Sequence, residues 1–320
     1  MIIVDLLKLK NIKLLNSLKF FISRIFKFRN LFKYKTKFGN VFLDETHSGI
    51  SKVIAMYGSR EDDKQKLLKT SIEPKTVYVD LGSNIGVYPL FISNLLDSDS
   101  FLISIEPDLR NHKTLLKNLD NCFIEKIFLP YAISDKDSIS KLLISKETNL
   151  NHLIDEEVNY ALYKDKIIKE IKTISFQTLI NKFIPKSYLN KEYKLLIRMD
   201  IEGGERKVLN SLNQFLNNSE NKFRSISIVY ENHPPSTGQR SNYKKTLENL
   251  IAKGFKIKRI VTAGGFNIND AKKLINKNSI KETIFSDTFK RIEITSPDEK
   301  ETLKQLVSTK KSIRYCNLDF

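Results

Sequence analysis

Apolar and polar positions along the chain follow two alternating periods. At Thr76–Leu81 the run TVYVDL is apolar and β-branched almost throughout, which predicts a strand buried on both faces. A Gly-rich turn follows, then an apolar stretch at 87–96 long enough for a helix. The alternation continues with a strand at Phe101–Ile105, a helix at 108–120 with Asp108 as N-cap, and a strand at 123–129. Residues 132–145 read as irregular strand or hairpin, and 146–170 as a polar loop with a helical piece. Further strands are predicted at 171–176, 195–199, 226–230 and 255–261, with helices after 176, at 205–216 and at 243–253. Before the first strand, 38–75 reads as a lead-in with a short strand at 41–43 and a helix at 61–70. After the last, 266–320 is lysine-rich and ambiguous, with late strands at 292–294 and 313–315. Strands alternating with helices predict an α/β fold with a mostly parallel sheet and helices on both faces. The chain divides on this pattern into an extension (1–37), the lead-in (38–75) and a main domain (76–320, with 266–320 as an unassigned tail).

The extension has a period of its own. Leu7, Leu14, Phe21 and Phe28 form one row, and Leu18, Ile25 and Phe32 a second offset from it by three or four, so a helix here carries one apolar stripe. From Lys8 to Lys37 there are ten Lys or Arg and no acid. Lysines interrupt every apolar run, so this is neither a secretory signal nor a membrane span. Three readings stand: a helix packed on the domain behind it with its lysines in solvent, an amphipathic helix lying in plane on an anionic membrane, or a contact with nucleic acid.

Composition changes little of this picture. Hydrophobic residues are 41% of the 320, enough for a sizeable core, which excludes wholesale disorder. The net charge is +17, of which the first 37 residues carry +9. The two cysteines, Cys122 and Cys316, form no metal or redox motif and read as small buried hydrophobes in a reduced, cytoplasmic protein, with the inner face of a membrane as the open alternative site.

The stretch Asp80-Leu81-Gly82-Ser83-Asn84-Ile85-Gly86 joins a strand to a helix, and Glu106 closes the next strand 20 residues after Gly86. Glycines at 82 and 86 allow a sharp turn and close approach of a ligand, the helix start offers free N–H groups, and an acid at 106 can accept hydrogen bonds from ribose hydroxyls. This is a nucleoside half-site. A dinucleotide fingerprint wants three glycines, but Asn84 stands for the middle one and Pro89 for the third. Asp80 would repel a pyrophosphate and suits the ammonium end of S-adenosyl-L-methionine.

A second acidic cluster, Asp200-Ile201-Glu202-Gly203-Gly204-Glu205, follows the strand at 195–199, and Glu231 and His233 end the next strand. Ligands in open α/β sheets bind beyond the carboxyl ends of the strands, so Asp200, Glu202, Glu231 and His233 are predicted to share one crevice with Gly82. Glu205, in a helix's first turn, has helix capping as its plainer reading. His47, His112 and His152 lack such neighbours and read as surface or packing residues.

VDLGSNIGVYP, ISIEPD, AISD, RMDIEGGERKVL and IVYEN, in that order over roughly 50–262, resemble the FkbM family of methyltransferases. The resemblance implies a Rossmann-like class I fold, S-adenosyl-L-methionine as cofactor, and a hydroxyl-bearing acceptor of sugar, glycan or natural-product type. It implies that Asp80, Gly82, Ser83, Asn84 and Gly86 cradle the methionine part and that Glu106 holds the ribose. Ala132, Ile133, Ser134 and Asp135 would line the adenine, and Asp200 and Glu202 would lie near the transferred methyl. Two positions depart from the family pattern: Arg198 where Lys is usual, and Gln177 where an acid is usual.

Methyl transfer to a hydroxyl needs a base, and a positioned one contributes ~10²–10⁴-fold. Asp200 or His233 is expected to take the proton, with Glu231 orienting; a divalent ion on Asp200 and Glu231 is the second option. No metal site is assigned. The rivals are a nucleic-acid methyltransferase, disfavoured because DIEG replaces the usual N/D-P-P-aromatic motif, a non-catalytic nucleoside-binding module tethered by the basic extension, and a dehydrogenase.

Overall fold

The computed structural model describes residues 2–27, 32–46, 49–145, 151–154, 167–218, 222–233, 239–264, 268–286, 289–308 and 313–320. The chain opens with helix α1 (Ile2–Ile25), a hairpin of β1 (Lys33–Thr36) and β2 (Gly39–Phe42), and two short helices, α2 (Ile50–Tyr57) and α3 (Asp62–Lys69). The predicted alternation then begins: β3 (Thr76–Leu81), α4 (Val87–Ser93), β4 (Phe101–Ile105), α5 (Leu109–Leu119) and β5 (Glu125–Leu129). The side chain of Asp108 caps α5 by accepting from Arg110 N–H, as expected of an N-cap acid.

The strand or hairpin expected at 132–145 and the strand expected at 171–176 are both present, and strand structure also reaches 152–153 and 167–170, within the segment read as a polar loop. β6 (Ala132–Ser134), β7 (Ser138–Ile144), β8 (His152–Leu153) and β9 (Ile167–Ser175) form a separate four-stranded sheet in the order β6-β9-β7-β8. The helical piece expected within 146–170 falls largely on 146–150 and 155–166, outside the described residues. A short α6 (Phe176–Thr178) runs on into a π turn at Leu179–Phe183. Then come β10 (Lys194–Met199), α7 (Glu205–Asn218), β11 (Ser225–Glu231), α8 (Arg240–Ala252) and β12 (Lys256–Thr262). The tail supplies α9 (Ile268–Lys273), β13 (Ile280–Ser286), β14 (Phe289–Thr295), α10 (Glu299–Leu306) and β15 (Ile313–Asp319).

The main sheet has nine strands in the order β13-β14-β12-β15-β11-β10-β3-β4-β5. β5, β4, β3, β10 and β11 run parallel, and β15 enters antiparallel between β11 and β12. The tail is therefore part of the sheet. Strand order reverses between β3 and β10, which opens a crevice at their carboxyl ends.

Alternate residues of each central strand serve opposite layers. Val77, Val79 and Leu81 join Leu195, Ile197 and Met199 in a core that includes residues of α7 and α8. Tyr78, Leu196 and Val229 face the other way, into a core with α2–α5 residues such as Ile54, Leu67, Leu68, Ile92 and Leu115. By the same period of two, Asp80, Arg198 and Glu231 belong to that second face. They come from the last turns of three adjacent strands and lie under the lead-in helix α3.

Candidate active site

The turn after β3 is shaped by chain packing. Gly82 has φ +81°, and a Cβ there would lie 2.2 Å from the carbonyl oxygen of Asp200. Gly86, also at φ +81°, faces the backbone of Leu115 in α5 at 3.2 Å. Both glycines are required before any ligand is considered, because the backbone just after β10 and that of α5 occupy the space a side chain would need.

The bend and the end of β4 meet. Asn84 N–H donates to Glu106 Oε2 at 2.8 Å, and Asp108 N–H donates to Oε1 at 2.9 Å. Burial pushes the Glu106 carboxyl up to about 7 against these hydrogen bonds. Glu106, Gly82, Ser83 and Asn84 line a cleft of about 1100 Å³, the solvent at its mouth included. Ala132 and Ile133 line it too, joined by Leu142, His152 and Leu153 of the small sheet. Ser134 is buried, and Asp135 faces a different cavity beside Lys136 and Asp137, so neither is among the described residues that line the cleft. His112 is a packing residue as expected, its Nε2 2.7 Å from the Glu106 carbonyl oxygen; His47 lies outside the described residues.

Asp80 stands elsewhere than the charge argument placed it. It is fully buried below the turn, where Arg198 Nη1 donates to Oδ1 at 2.9 Å and the Tyr78 hydroxyl to Oδ2 at 2.8 Å. Its charge is taken up inside the protein, and it is not among the described cleft-lining residues.

Asp200, Glu202 and Glu231 line the opposite wall. Between them lies a residue that sequence reasoning missed. Lys64 of α3 is 1% exposed, and its ammonium lies 2.8 Å from Glu61, 2.7 Å from Asp200 and 3.2 Å from Glu231. Arg198 Nη2 also donates to Asp200 Oδ2 at 2.7 Å. Arg314, from β15, reaches Glu61 at 2.8 Å and Glu231 at 3.5 Å, and Arg60 reaches Glu61 at 3.3 Å. Four cations (Arg60, Lys64, Arg198, Arg314) thus face four carboxylates (Glu61, Asp80, Asp200, Glu231). Burial opposes ionisation of Asp200, but Lys64 and Arg198 outweigh it and hold its carboxyl well below the usual range. The same carboxylates hold the Lys64 ammonium protonated against burial. The divalent-ion option on Asp200 and Glu231 is displaced, since the Lys64 ammonium already sits within hydrogen-bonding distance of both.

The one signal for Lys64 was its spacing: Lys64, Leu67, Leu68 and Ser71 are all buried, at i, i+3, i+4 and i+7. Within DDKQKLLK such a lysine reads as one more solvated charge.

Glu202 and His233 form a second constellation. Glu202 adopts φ +53°, a left-handed conformation uncommon outside glycine. Its Oε2 lies 3.4 Å from His233 Nε2, and His233 Nδ1 lies 2.9 Å from Glu205 Oε1. Glu205 also accepts Ile201 N–H at 3.2 Å, so it both ties down the loop before α7 and holds the imidazole. Burial, with Asp200 nearby, pushes Glu202 up to about 7 despite the imidazole beside it. Burial works against charging His233, but Glu205 foremost, then Glu231 and Glu202, raise it to about 9. Glu231 pairs with Lys64 and Arg314, and so it does not orient His233 by direct hydrogen bonding among the described contacts. Asp200, Glu202 and His233 place three potential ligand atoms within 4.8 Å of one another, as do Glu61, Asp200 and Glu231.

A doubly wound sheet with an antiparallel strand, β15, inserted between β11 and β12, and a cleft over the β3–β10 switch point, is the architecture of the class I, Rossmann-like methyltransferases. The model for the methyltransferase FkbM domain matches residues 80–257, more than half of the chain. The chain belongs to the FkbM methyltransferase family, and its cofactor is S-adenosyl-L-methionine. Lys64, Glu61 and Arg314 all lie outside the matched segment. Solved structures with a similar course include a precorrin-6y C5,15-methyltransferase from Geobacter metallireducens (11% identity, 80% of this chain and 86% of that one, TM-score 0.33). Aeropyrum pernix fibrillarin with bound S-adenosyl-L-methionine (11%, 73% and 74%, 0.33) is another. No curated protein matches the chain.

Proposed function

We propose that this methyltransferase acts on a hydroxyl of a sugar, glycan or glycolipid-type acceptor, with Glu202 as the base. The observation that carries this reading is the Glu202–His233–Glu205 chain on the cleft wall, with contacts of 3.4 and 2.9 Å. A base poised near neutral pH, exposed at one end and held at the other, suits removal of a hydroxyl proton.

S-adenosyl-L-methionine, when bound, supplies an electrophilic methyl group on a sulfonium. The glycine bend from Gly82 to Gly86 takes its amino-acid end, Glu106 accepts from its ribose hydroxyls, and Ala132 and Ile133 cover its adenine. The fit rests on Glu106, a buried carboxylate facing the cleft whose oxygens receive one backbone N–H each and keep lone pairs for further donors. Asp200 is a poor base, because two cations hold its Oδ2 and keep it ionised. Its part is to fix the cleft floor. Glu202 would take the acceptor's hydroxyl proton, while the His233 imidazolium would keep its carboxylate in place.

The test is incubation of the purified chain with isotopically labelled donor and separate pools of glycans, lipid-linked saccharides, hydroxylated small molecules and RNA, read by mass spectrometry. Label on a hydroxyl oxygen, lost in Glu202→Gln, supports the reading. Label confined to RNA bases would sink it.

A further inference from the structure

We propose that the outward face of α1 seats on the surface of an anionic membrane. The helix is held to the protein by one narrow face: Asn16, Phe20 and Ser23 are buried, and Asn16 Nδ2 donates to the Lys35 carbonyl at 3.0 Å. The apolar stripe points the other way. Leu14 is 71% exposed, Leu18 53%, Phe21 62% and Ile25 57%, with Leu15 and Phe26 exposed beside them. At 3.6 residues per turn, these side chains span an arc of about 140° opposite the packed face. The expectation that α1 packs on the domain therefore holds for the helix, while Leu14, Leu18, Phe21 and Ile25 of its apolar stripe are turned to solvent; Phe32, further along the stripe, packs on the core.

Charge decides the occupant. Lys13 and Arg24 are exposed on one border of the arc and Lys19 lies on the other, its ammonium 3.0 Å from the Lys33 carbonyl. Lys27, Lys33, Lys35 and Lys37 are exposed just beyond, and no acid occurs from Lys8 to Lys37. A second copy of this chain would cover the leucines and phenylalanines but would set one basic rim against another. A nucleic acid would satisfy the rim and leave the apolar arc in water. An anionic lipid surface takes both at once: apolar side chains at the acyl boundary and lysines among the headgroups. No described helix is long and apolar enough to cross a membrane, so the contact is in plane. The seat lies close to the cleft, because α1 packs on α2 and the inner residues of α2, Ile50 and Ile54, line the cleft wall.

The test is flotation of the full chain with vesicles of phosphatidylcholine alone and of phosphatidylcholine mixed with phosphatidylglycerol. The chain is expected to float with the mixed vesicles only, and less as salt is raised. The double variant Leu18→Glu/Phe21→Glu should lose at least about tenfold in vesicle affinity. It should keep the wild-type affinity for S-adenosylhomocysteine by calorimetry, since neither side chain is near the cleft. Failure of the wild-type chain to bind mixed vesicles overturns the proposal, as does a double variant that binds them equally well. A lipid-independent dimer that the double variant splits, seen by analytical ultracentrifugation, would assign the face to a second copy instead. None of these readouts depends on methyl transfer.

Discussion

The ammonium of Lys64 lies 2.7 Å from Oδ2 of Asp200, across 136 residues of sequence. It joins the lead-in helix α3 to the acidic loop after β10, and it does so inside the protein rather than at its surface. A lone charge at that depth would be untenable; here three carboxylates surround it. The lead-in is thus tied to the methyltransferase domain by charge as well as by packing.

Replacing Lys64 by Met keeps the volume and removes the charge. Glu61, Asp200 and Glu231 are then left with one cation fewer and partly unpaired. Breaking a buried pair in this way costs about 3–5 kcal/mol. Lys64→Met is expected to unfold at markedly lower urea concentration than the parent. The double variant Lys64→Met/Glu231→Gln should recover part of the loss, because it lowers the uncompensated charge. A Lys64→Met chain as stable as the parent would show that the network is idle.

Glu202 should set the acid side of the rate profile. Its carboxyl, ordinarily near 4.5, is pushed up to about 7. Only the ionised form accepts a proton, so kcat should rise with pH through about 7 and then level. Glu202→Gln is expected to lose ~10²–10⁴-fold in kcat and to flatten that limb. Donor-product affinity, measured by calorimetry, should change little. An unaltered profile in the variant would move the base elsewhere.

Much of the frame was legible from the chain. Thr76–Leu81 and Phe101–Ile105 were predicted with the bounds observed, because strands buried on both faces leave an unbroken apolar run that turn residues cut off cleanly. The acids at 106, 200, 202 and 231 were legible as strand-end residues for the same reason. Lys64 and Arg314 were not. Each is a basic residue in a basic chain, and only long-range packing shows that they are buried or half-buried among carboxylates. Asp80 misled in the opposite way: its position beside the glycines suggested a ligand contact, while the period of two along β3 turns it toward Arg198. The strand pairing of β15 is likewise set by partners some 50 to 90 residues away, beyond the reach of local pattern.

Chelation should leave the activity in place. The four cations and four carboxylates around Lys64 balance, so a divalent ion inserted there would add two uncompensated positive charges in a poorly solvated site. The alternative ligand set, Asp200, Glu202 and His233, shares Asp200 Oδ2 with Lys64 and Arg198 and His233 Nδ1 with Glu205. Methyl transfer after exhaustive treatment with a strong chelator is expected to match the untreated rate. A loss restored by one added divalent metal would assign that second set as a metal site.

Glu106 should govern donor affinity, and its dependence on pH has a definite sign. Burial raises the carboxyl from 4.5 to about 7. The ionised form is acceptor-only and can receive ribose hydroxyl protons on the lone pairs that Asn84 and Asp108 leave open; the neutral form gives up part of that capacity. Affinity for S-adenosylhomocysteine should therefore be greatest above about pH 7 and fall as the pH is lowered through it. Glu106→Gln removes the charge and turns one acceptor oxygen into an amide donor, and hydrogen bonds to charged groups contribute about 1.5–3 kcal/mol each. The variant is expected to bind at least tenfold more weakly and with a nearly flat pH profile. Calorimetry at several pH values reads the effect. If Glu106→Gln bound the donor product as tightly as the parent, the ribose would have to lie elsewhere in the cleft.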